Sequence, residues 1–203
     1  MRRRRASIAG AVLILVTGRF AAAQTPTPPD PSGVWRSSIG ELSLLLAGDA
    51  LSFSYSAVFG ATAHICDGAG VAGLVTGNRY EHVDEQGTIA ILLRDGEVRL
   101  ETVTGVPSFC GANWPGDTLV REGSPTLRSC RVKVARSRFH IVGTIPPEPR
   151  KGYVVSGDRV EVVPLQDQGN EGWVLGRFRG ARGATVGLLR ASDLDCAPAP
   201  PTR

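Results

Sequence analysis

Strict alternation of apolar residues with serine is the pattern that most restricts what this chain can fold into. Between residues 50 and 59 every odd position is apolar or aromatic, whereas positions 52, 54 and 56 are serine. A β-strand places successive side chains on opposite faces, so this pattern predicts a strand with one buried face and one face in water. No stretch of helical length shows an apolar face of helical period, and the sequence therefore predicts an all-β fold.

The alternation recurs in shorter runs that are separated by glycine-containing turns. Three of these runs are Leu42, Leu44 and Leu46; Ile89, Ile91 and Leu93; and Val98 with Leu100. The clearest turn is Asp95-Gly96, because Asp-Gly is a preferred loop of two-residue β-hairpins. Short strands joined by such turns predict a meander that closes into a small antiparallel barrel or sandwich, which we place at residues 32–121.

A second unit is predicted at residues 130–196, after the turn-rich segment 121–126. Its short runs lie at 131–135, 139–141, 152–155, 159–163, 172–178, 185–189 and 192–194. We expect five short strands there, spaced by glycine and proline, which suits a second small barrel. The predicted fold is therefore all-β, with two small β-barrels in tandem.

The second unit resembles a known family. Residues 152–162 (GYVVSGDRVEV) resemble the bacterial SH3 pattern, in which a tyrosine strand leads through Gly-Asp into a valine strand. The same order continues with Gly172-Trp173-Val174, with Gly187-Leu188-Leu189 and with Ser192-Asp193-Leu194. The resemblance implies an SH3-like barrel in which Tyr153 and Trp173 line a ligand groove. Trp173 suits a core plug equally well, since Trp buries a large area in a small barrel.

The first unit is loosely similar to the small periplasmic β-barrel domains of lysozyme inhibitors. The similarity lies in Gly33-Val34-Trp35, the aromatic strand at 51–59, Cys66 and Phe109-Cys110-Gly111. It implies a fold and hints at inhibition of a wall-degrading enzyme. The serine-glycine loop with a tyrosine that carries inhibition in that family is not evident in this sequence.

The first 23 residues have the three parts of a cleavable signal peptide. Residues 2–5 are arginine, residues 6–18 are apolar, and Ala21-Ala22-Ala23 supplies a small-residue cleavage site. The apolar part, roughly 13 residues, is too short for a membrane span, which needs about 20. We therefore expect a periplasmic or secreted protein with no transmembrane segment after cleavage. A flexible proline-rich lead at 24–31 and a disordered tail at 197–203 complete the predicted layout.

The four cysteines of the chain are expected to form two disulfides, because an even number in an exported protein is typical of a disulfide framework. Four cysteines allow three pairings, and the domain layout favours Cys66 with Cys110 and Cys130 with Cys196. A reactive thiol or a metal site is the alternative, but no two cysteines have C-x-x-C spacing.

Candidate catalytic groups are few and unspecific. His64 and Cys66 share one strand face, and carboxylates suitable for glycoside cleavage occur at Glu41, Glu81, Asp84 and Glu85. The three histidines lie in separate predicted strands without metal-ligand spacing, and no nucleophile-elbow, phosphate-loop or dinucleotide motif is present. We predict no enzyme, no cofactor and no metal, with a hydrolase of unrecognised site as the weakest alternative.

Charge singles out two basic stretches. Removing the leader leaves 18 basic against 19 acidic residues, so the case for nucleic acid as a partner disappears. Residues 121–151 nevertheless hold eight basic residues against two acidic ones, and Arg177, Arg179 and Arg182 form a second basic loop. These stretches are either a solubilising face or a contact for an acidic partner. Trp114, in a loop after Cys110, is predicted to be an exposed interface anchor.

These features together predict a non-enzymatic binding protein of the bacterial envelope. Its expected partner is peptidoglycan or an envelope or secreted protein, and the predicted contacts are Tyr153, Trp173, Trp114 and the arginine loop. The alternative is an inhibitor or immunity protein that acts against a wall-degrading enzyme.

Overall fold

Eight antiparallel strands close into the first barrel of the computed structural model, which describes residues 29–111, 113–121, 127–166 and 171–196. The strands are β1 (Gly33–Arg36), β2 (Gly40–Ala47), β3 (Ala50–Phe59), β4 (His64–Thr76), β5 (Arg79–Val83), β6 (Gly87–Arg94), β7 (Glu97–Gly105) and β8 (Asp117–Val120). Each pairs with the next along the chain. The barrel closes where β8 returns to β1 through the Arg36–Val120 pair.

Seven further strands form one curled sheet in the second unit. They are β9 (Arg128–Val132), β10 (Arg136–His140), β11 (Pro149–Val155), β12 (Arg159–Pro164), β13 (Trp173–Gly180), β14 (Gly183–Arg190) and β15 (Leu194–Cys196). Their order across the sheet is β11-β10-β14-β13-β12-β9-β15. The second unit therefore has seven strands, whereas five were expected from the sequence. The described residues contain one 3-10 turn (Ala191–Asp193) and no helix long and apolar enough to cross a membrane. The prediction of an all-β protein with two small barrels in tandem is confirmed.

The alternation in β3 builds the interior of the first barrel. Leu51, Phe53 and Tyr55 are fully buried there, because odd positions of this strand point inward. The register of β2 and β3 places Leu42 opposite Tyr55 and Leu44 opposite Phe53. The core of the barrel is therefore made by side chains that the sequence pattern identifies.

The outward serine face of β3 is not in water, which corrects the prediction. Ser52 and Ser54 are buried, and so is Ser43 on the neighbouring strand β2. The backbone N–H of Gln166 donates a hydrogen bond to Ser54 Oγ (2.8 Å), and its side-chain amide donates to Ser43 Oγ (3.2 Å). The serine face is small and polar because the second unit covers it.

An apolar cluster joins the two units. Val34 and Leu45 of the first barrel pack with Val163, Leu175 and Leu188. These three residues lie on the outer face of the second sheet, whereas its inner face holds a separate core around Phe139, Val160 and Leu189. The middle strands of the second sheet are therefore buried on both faces.

Two disulfides lie inside the units. Cys66 of β4 is bonded to Cys110, and Cys130 of β9 is bonded to its register partner Cys196 of β15. This is the pairing that the domain layout favours. The described residues contain no free cysteine.

Candidate binding surface

Arg177 lies inside the molecule, and this corrects its prediction as a contact for an external partner. It belongs to β13, and its side chain is 1% exposed. Its Nε donates to Glu161 Oε2 (2.7 Å), and its Nη1 donates to Ser32 Oγ and to the carbonyl oxygen of Leu46 (both 2.8 Å). Nη1 also lies 3.1 Å from Asp30 Oδ2. Arg177 therefore ties the first barrel to the second sheet.

The carboxylates around Arg177 are held in their charged form. Burial raises the pKa of Asp30, but hydrogen bonds from Ser32 and the nearby charge of Arg177 outweigh it and leave the pKa below its ordinary value. Burial likewise raises the pKa of Glu161, and the hydrogen bonds and charges of Arg177 and Arg179 lower it further than burial raises it. The cluster is thus a stable network of opposite charges.

The other two arginines of the predicted loop differ from each other. Arg179 is 58% exposed but pairs with Asp30 (3.2 Å) and Glu161 (3.0 Å). Arg182 is exposed in the turn between β13 and β14, and the described residues offer it no ion pair. Of the predicted arginine contact, only Arg182 presents an uncompensated charge to solvent.

Trp114 belongs to the core of the first barrel, so its prediction as an exposed anchor is wrong. It is 7% exposed and packs on Tyr55, with ring centroids 5.8 Å apart. The Tyr55 hydroxyl donates to Asp117 Oδ2 (2.8 Å). Burial first and Asp117 second raise the pKa of Tyr55 far above its ordinary value. Trp114 therefore packs inward, against the core of the barrel.

Among the predicted aromatic contacts, Tyr153 is the one that is exposed to solvent. It lies on β11, and 48% of the residue is exposed. The guanidinium carbon of Arg136 lies 4.2 Å from the ring centroid, which is a cation–π contact. Beside it is an open depression of about 340 Å³, here called the basic cleft, lined by Arg136, Arg138, Pro149, Arg150, Lys151 and Tyr153.

Trp173 does not share a groove with Tyr153. The two rings sit on β13 and β11, with β14 and β10 between them, a separation of roughly 14 Å at the usual strand spacing. Trp173 is half-buried, its ring meets that of His140 edge-on at 4.5 Å, and Arg190 lies 4.4 Å above it. Trp173 therefore packs against the junction between the units and carries Arg190 on its ring, and it neither lines a groove with Tyr153 nor belongs to the inner core of the second unit.

Charge is divided unequally between the units. Residues 29–121 carry 5 basic and 11 acidic residues, whereas residues 127–196 carry 12 basic and 7 acidic residues. Four of the five basic residues of the first barrel form ion pairs: Arg36, Arg79, Arg94 and Arg99. In the part of the second unit that the structure describes, five clustered cations form none: Arg136, Arg138, Arg150, Lys151 and Arg190. Arg131, Lys133, Arg159 and Arg182 form no ion pair either, but they lie elsewhere in the unit, so the basic cleft and Arg190 hold five of these nine described cations.

The sequence offered the basic run at 121–151 as a solubilising face or a contact for an acidic partner, but did not group these side chains with Tyr153. The usable signal was the alternation of Arg136 and Arg138, which places both on one face of β10, opposite the strand that carries Tyr153. Arg190 gave no such signal, because it joins the group only through the pairing of β10 with β14 at His140–Leu188.

The candidate nucleophile and base, Cys66 and His64, do not form a reactive pair. Cys66 is oxidised, and His64 shares a hydrogen bond with Thr62 (2.9 Å) at an exposed turn. Ser108 Oγ donates to Asp84 Oδ2 (2.7 Å) rather than to an imidazole. No group of three or more potential metal ligands occurs among the residues described.

Comparison with family models, with curated proteins and with solved structures found no match to this chain.

Proposed function

We propose that this chain is an exported, non-enzymatic binding protein of the bacterial envelope that recognises the cell wall or a wall-associated protein. The observation that carries the proposal is the cluster of uncompensated cations beside exposed Tyr153 in an open cleft of the second unit. The leader pattern and the two disulfides support an oxidising compartment outside the cytoplasm. The resemblance of this unit to bacterial SH3 domains supports a role in recognition.

The cleft has the physical character of a contact site. Tyr153 offers a rigid, amphipathic ring, and such residues dominate binding energy at interfaces. Its neighbours are held on two hydrogen-bonded strands instead of a loop, so little backbone freedom is lost on binding. The first barrel covers the central part of the outer face of the second sheet, at β12, β13 and β14, and leaves the β10–β11 hairpin accessible.

Sedimentation of the mature chain with purified peptidoglycan sacculi tests the proposal. We expect Tyr153→Ala to weaken co-sedimentation by about tenfold, because it removes the exposed aromatic anchor. Val83→Ala is the matched control, since Val83 is 69% exposed on the first barrel and lies outside the cleft. Failure of the unsubstituted chain to bind sacculi or any extracted envelope protein would refute the proposed function.

Inhibition of a wall-degrading enzyme is a second candidate, favoured by one observation. Ile145 is 72% exposed in the loop between β10 and β11, next to Gly68 and Phe109 of the first barrel, where it could enter the active-site groove of an enzyme. A lysis assay decides between the two roles. Protection of cells from lysozyme-type lysis that is lost in Ile145→Ser would favour inhibition, and unchanged lysis would exclude it.

A further inference from the structure

The cations of the basic cleft come from both strands of one hairpin and point to one side. Arg136 and Arg138 alternate along β10, and Tyr153 is the register partner of Arg138 on β11. Alternate residues of a strand are about 6.7 Å apart, and cross-strand partners are about 5 Å apart. Positive groups at this spacing repel each other, and no carboxylate among the described residues forms an ion pair with them. The free protein therefore carries a repulsion that a bound anion would relieve.

Two of these cations are held in place before any ligand arrives. Arg136 is stacked on the Tyr153 ring, and Arg150 Nη1 donates to the carbonyl oxygen of Val186 (2.9 Å). A guanidinium stacked on a ring keeps its N–H edge free, and that edge matches the paired oxygens of a phosphate or carboxylate. The cleft thus presents oriented donors for an oxyanion.

The positive surface continues beyond the cleft. His140 of β10 pairs with Leu188 of β14. Arg138 precedes His140 by two residues and Arg190 follows Leu188 by two residues, so both lie on the same face of the sheet. Arg190 is in turn held over the ring of Trp173. Cations therefore follow one another from β11 through β10 to β14, over a distance that a single small anion cannot span.

We propose that the basic cleft and Arg190 bind a polymer that carries repeated oxyanion groups, either phosphate or carboxylate. This inference rests on the proposed function and names the chemistry of its ligand. Nucleic acid suits the surface less well, because Tyr153 is the one aromatic ring among the lining residues of the cleft and Arg136 covers one of its faces, whereas single strands stack successive bases on several rings.

Titration of the mature chain with soluble polymers tests the inference. The probes are short-chain inorganic polyphosphate and polygalacturonate, followed by calorimetry at several salt concentrations. We expect affinity for at least one polymer to fall linearly on a log–log plot against salt. The double variant Arg136→Gln/Arg138→Gln should lose at least about tenfold in affinity and reduce the salt slope by about 2.

The matched control is Arg131→Gln/Arg159→Gln. These two arginines are exposed register partners on β9 and β12, so the control removes the same charge from the same unit away from the cleft. Its affinity should stay within about twofold of that of the unsubstituted chain. Equal losses in the two double variants would overturn the inference, because they would indicate net charge alone. Circular dichroism checks that each variant is folded, and Arg138→Gln/Lys151→Gln serves as a second cleft variant.

Other outcomes separate this inference from the function on which it rests. No binding of either polymer, or tighter binding of duplex DNA than of both, overturns the inference. If sacculi bind and the cleft variants bind them equally well, the inference falls and the proposed function stands. If the polymers bind with the expected variant and salt dependence but sacculi and envelope proteins do not, the inference stands and the proposed function falls.

Discussion

Arg177 illustrates how one strand carries both an internal and an external arginine. Leu175, Arg177 and Arg179 alternate on the outer face of β13. Leu175 is fully buried under the first barrel, Arg177 is 1% exposed, and Arg179 is 58% exposed at the margin. The run Gly-Arg-Phe-Arg-Gly looks like a loop in the sequence because nothing in it records how far the neighbouring barrel reaches. Burial of this charge is therefore a property of the junction.

Replacing Arg177 by alanine should destabilise the protein strongly. The substitution removes one fully buried side chain, its bonds to Ser32 and to the Leu46 carbonyl, and the countercharge of two carboxylates. We expect the free energy of unfolding to fall by about 3 kcal/mol, as measured by urea denaturation. Arg179→Ala, on the exposed side of the same network, should cost less than about 1 kcal/mol. Similar losses for the two variants would show that Arg177 is not a buried tie.

The lowered pKa of Asp84 predicts how the stability of the folded protein depends on pH. Burial raises its pKa, but hydrogen bonds from Ser108, Gln86 and Gly87 lower it to about 2. A carboxyl group whose pKa is lower in the folded state stabilises the protein above its unfolded pKa of about 4, and this stabilisation is lost as pH falls towards 2. Asp84→Asn should therefore lower the melting temperature at pH 7 and weaken its pH dependence between pH 4 and pH 2. An unchanged melting profile across that window would contradict this account.

Among the strands, β3 and β4 show what a pattern of residues can and cannot predict. The predicted strand at 50–59 coincides with β3, because alternation of large apolar residues with serine is a direct record of an inward and an outward face. The neighbouring β4 was predicted only around His64 and Cys66, because its later inward positions include Gly68 and Gly70. Those glycines lie opposite Tyr55 and Phe53 and are covered by the rings of Phe109 and His82. Their packing partners come from distant segments, so no local signal marks the strand.

Gly70 and Gly73 of β4 provide a matched pair of substitutions. A Cβ added at Gly70 would lie 2.6 Å from Cε1 of His82, whereas one added at Gly73 would meet nothing within 4 Å. We expect Gly70→Ala to lower the free energy of unfolding by about 1–3 kcal/mol through overpacking, whereas Gly73→Ala is nearly neutral. Thermal melts of the two variants measure the difference. Equal melting temperatures would mean that the His82 ring moves away freely.

The candidate site was predictable only in its parts. The cationic character of the hairpin follows from the sequence of β10 and β11, and the alternation along β10 places Arg136 and Arg138 on one exposed face. The expected grouping of Tyr153 with Trp173 came from the resemblance to bacterial SH3 domains. The sheet instead places β14 and β10 between them. Arg190 enters the surface through the same strand order, which a single sequence does not encode locally.

The two units pack against each other, and identifiable contacts between them hold them together. Each disulfide closes a loop within its own unit, over 44 residues in the first and 66 in the second. Neither bond can therefore transmit stability from one unit to the other. The candidates are the apolar cluster around Leu45 and Leu175 and the Arg177 network beside it. Because the serine face of β3 is also covered, separation of the units would expose apolar and polar surface together.

Leu175→Ala tests whether the junction makes the units unfold as one. Leu175 is fully buried between the sheet and the first barrel, so truncation should lower the free energy of unfolding by about 2–5 kcal/mol. If the junction couples the units, the slowest-exchanging amides of β3 and of β14 should lose protection by the same factor in native-state hydrogen exchange. Val155→Ala, at an exposed position of the edge strand β11, should leave both sets unchanged. Loss of protection in β14 alone would show that the first barrel holds its structure independently and that the junction only orients the basic cleft.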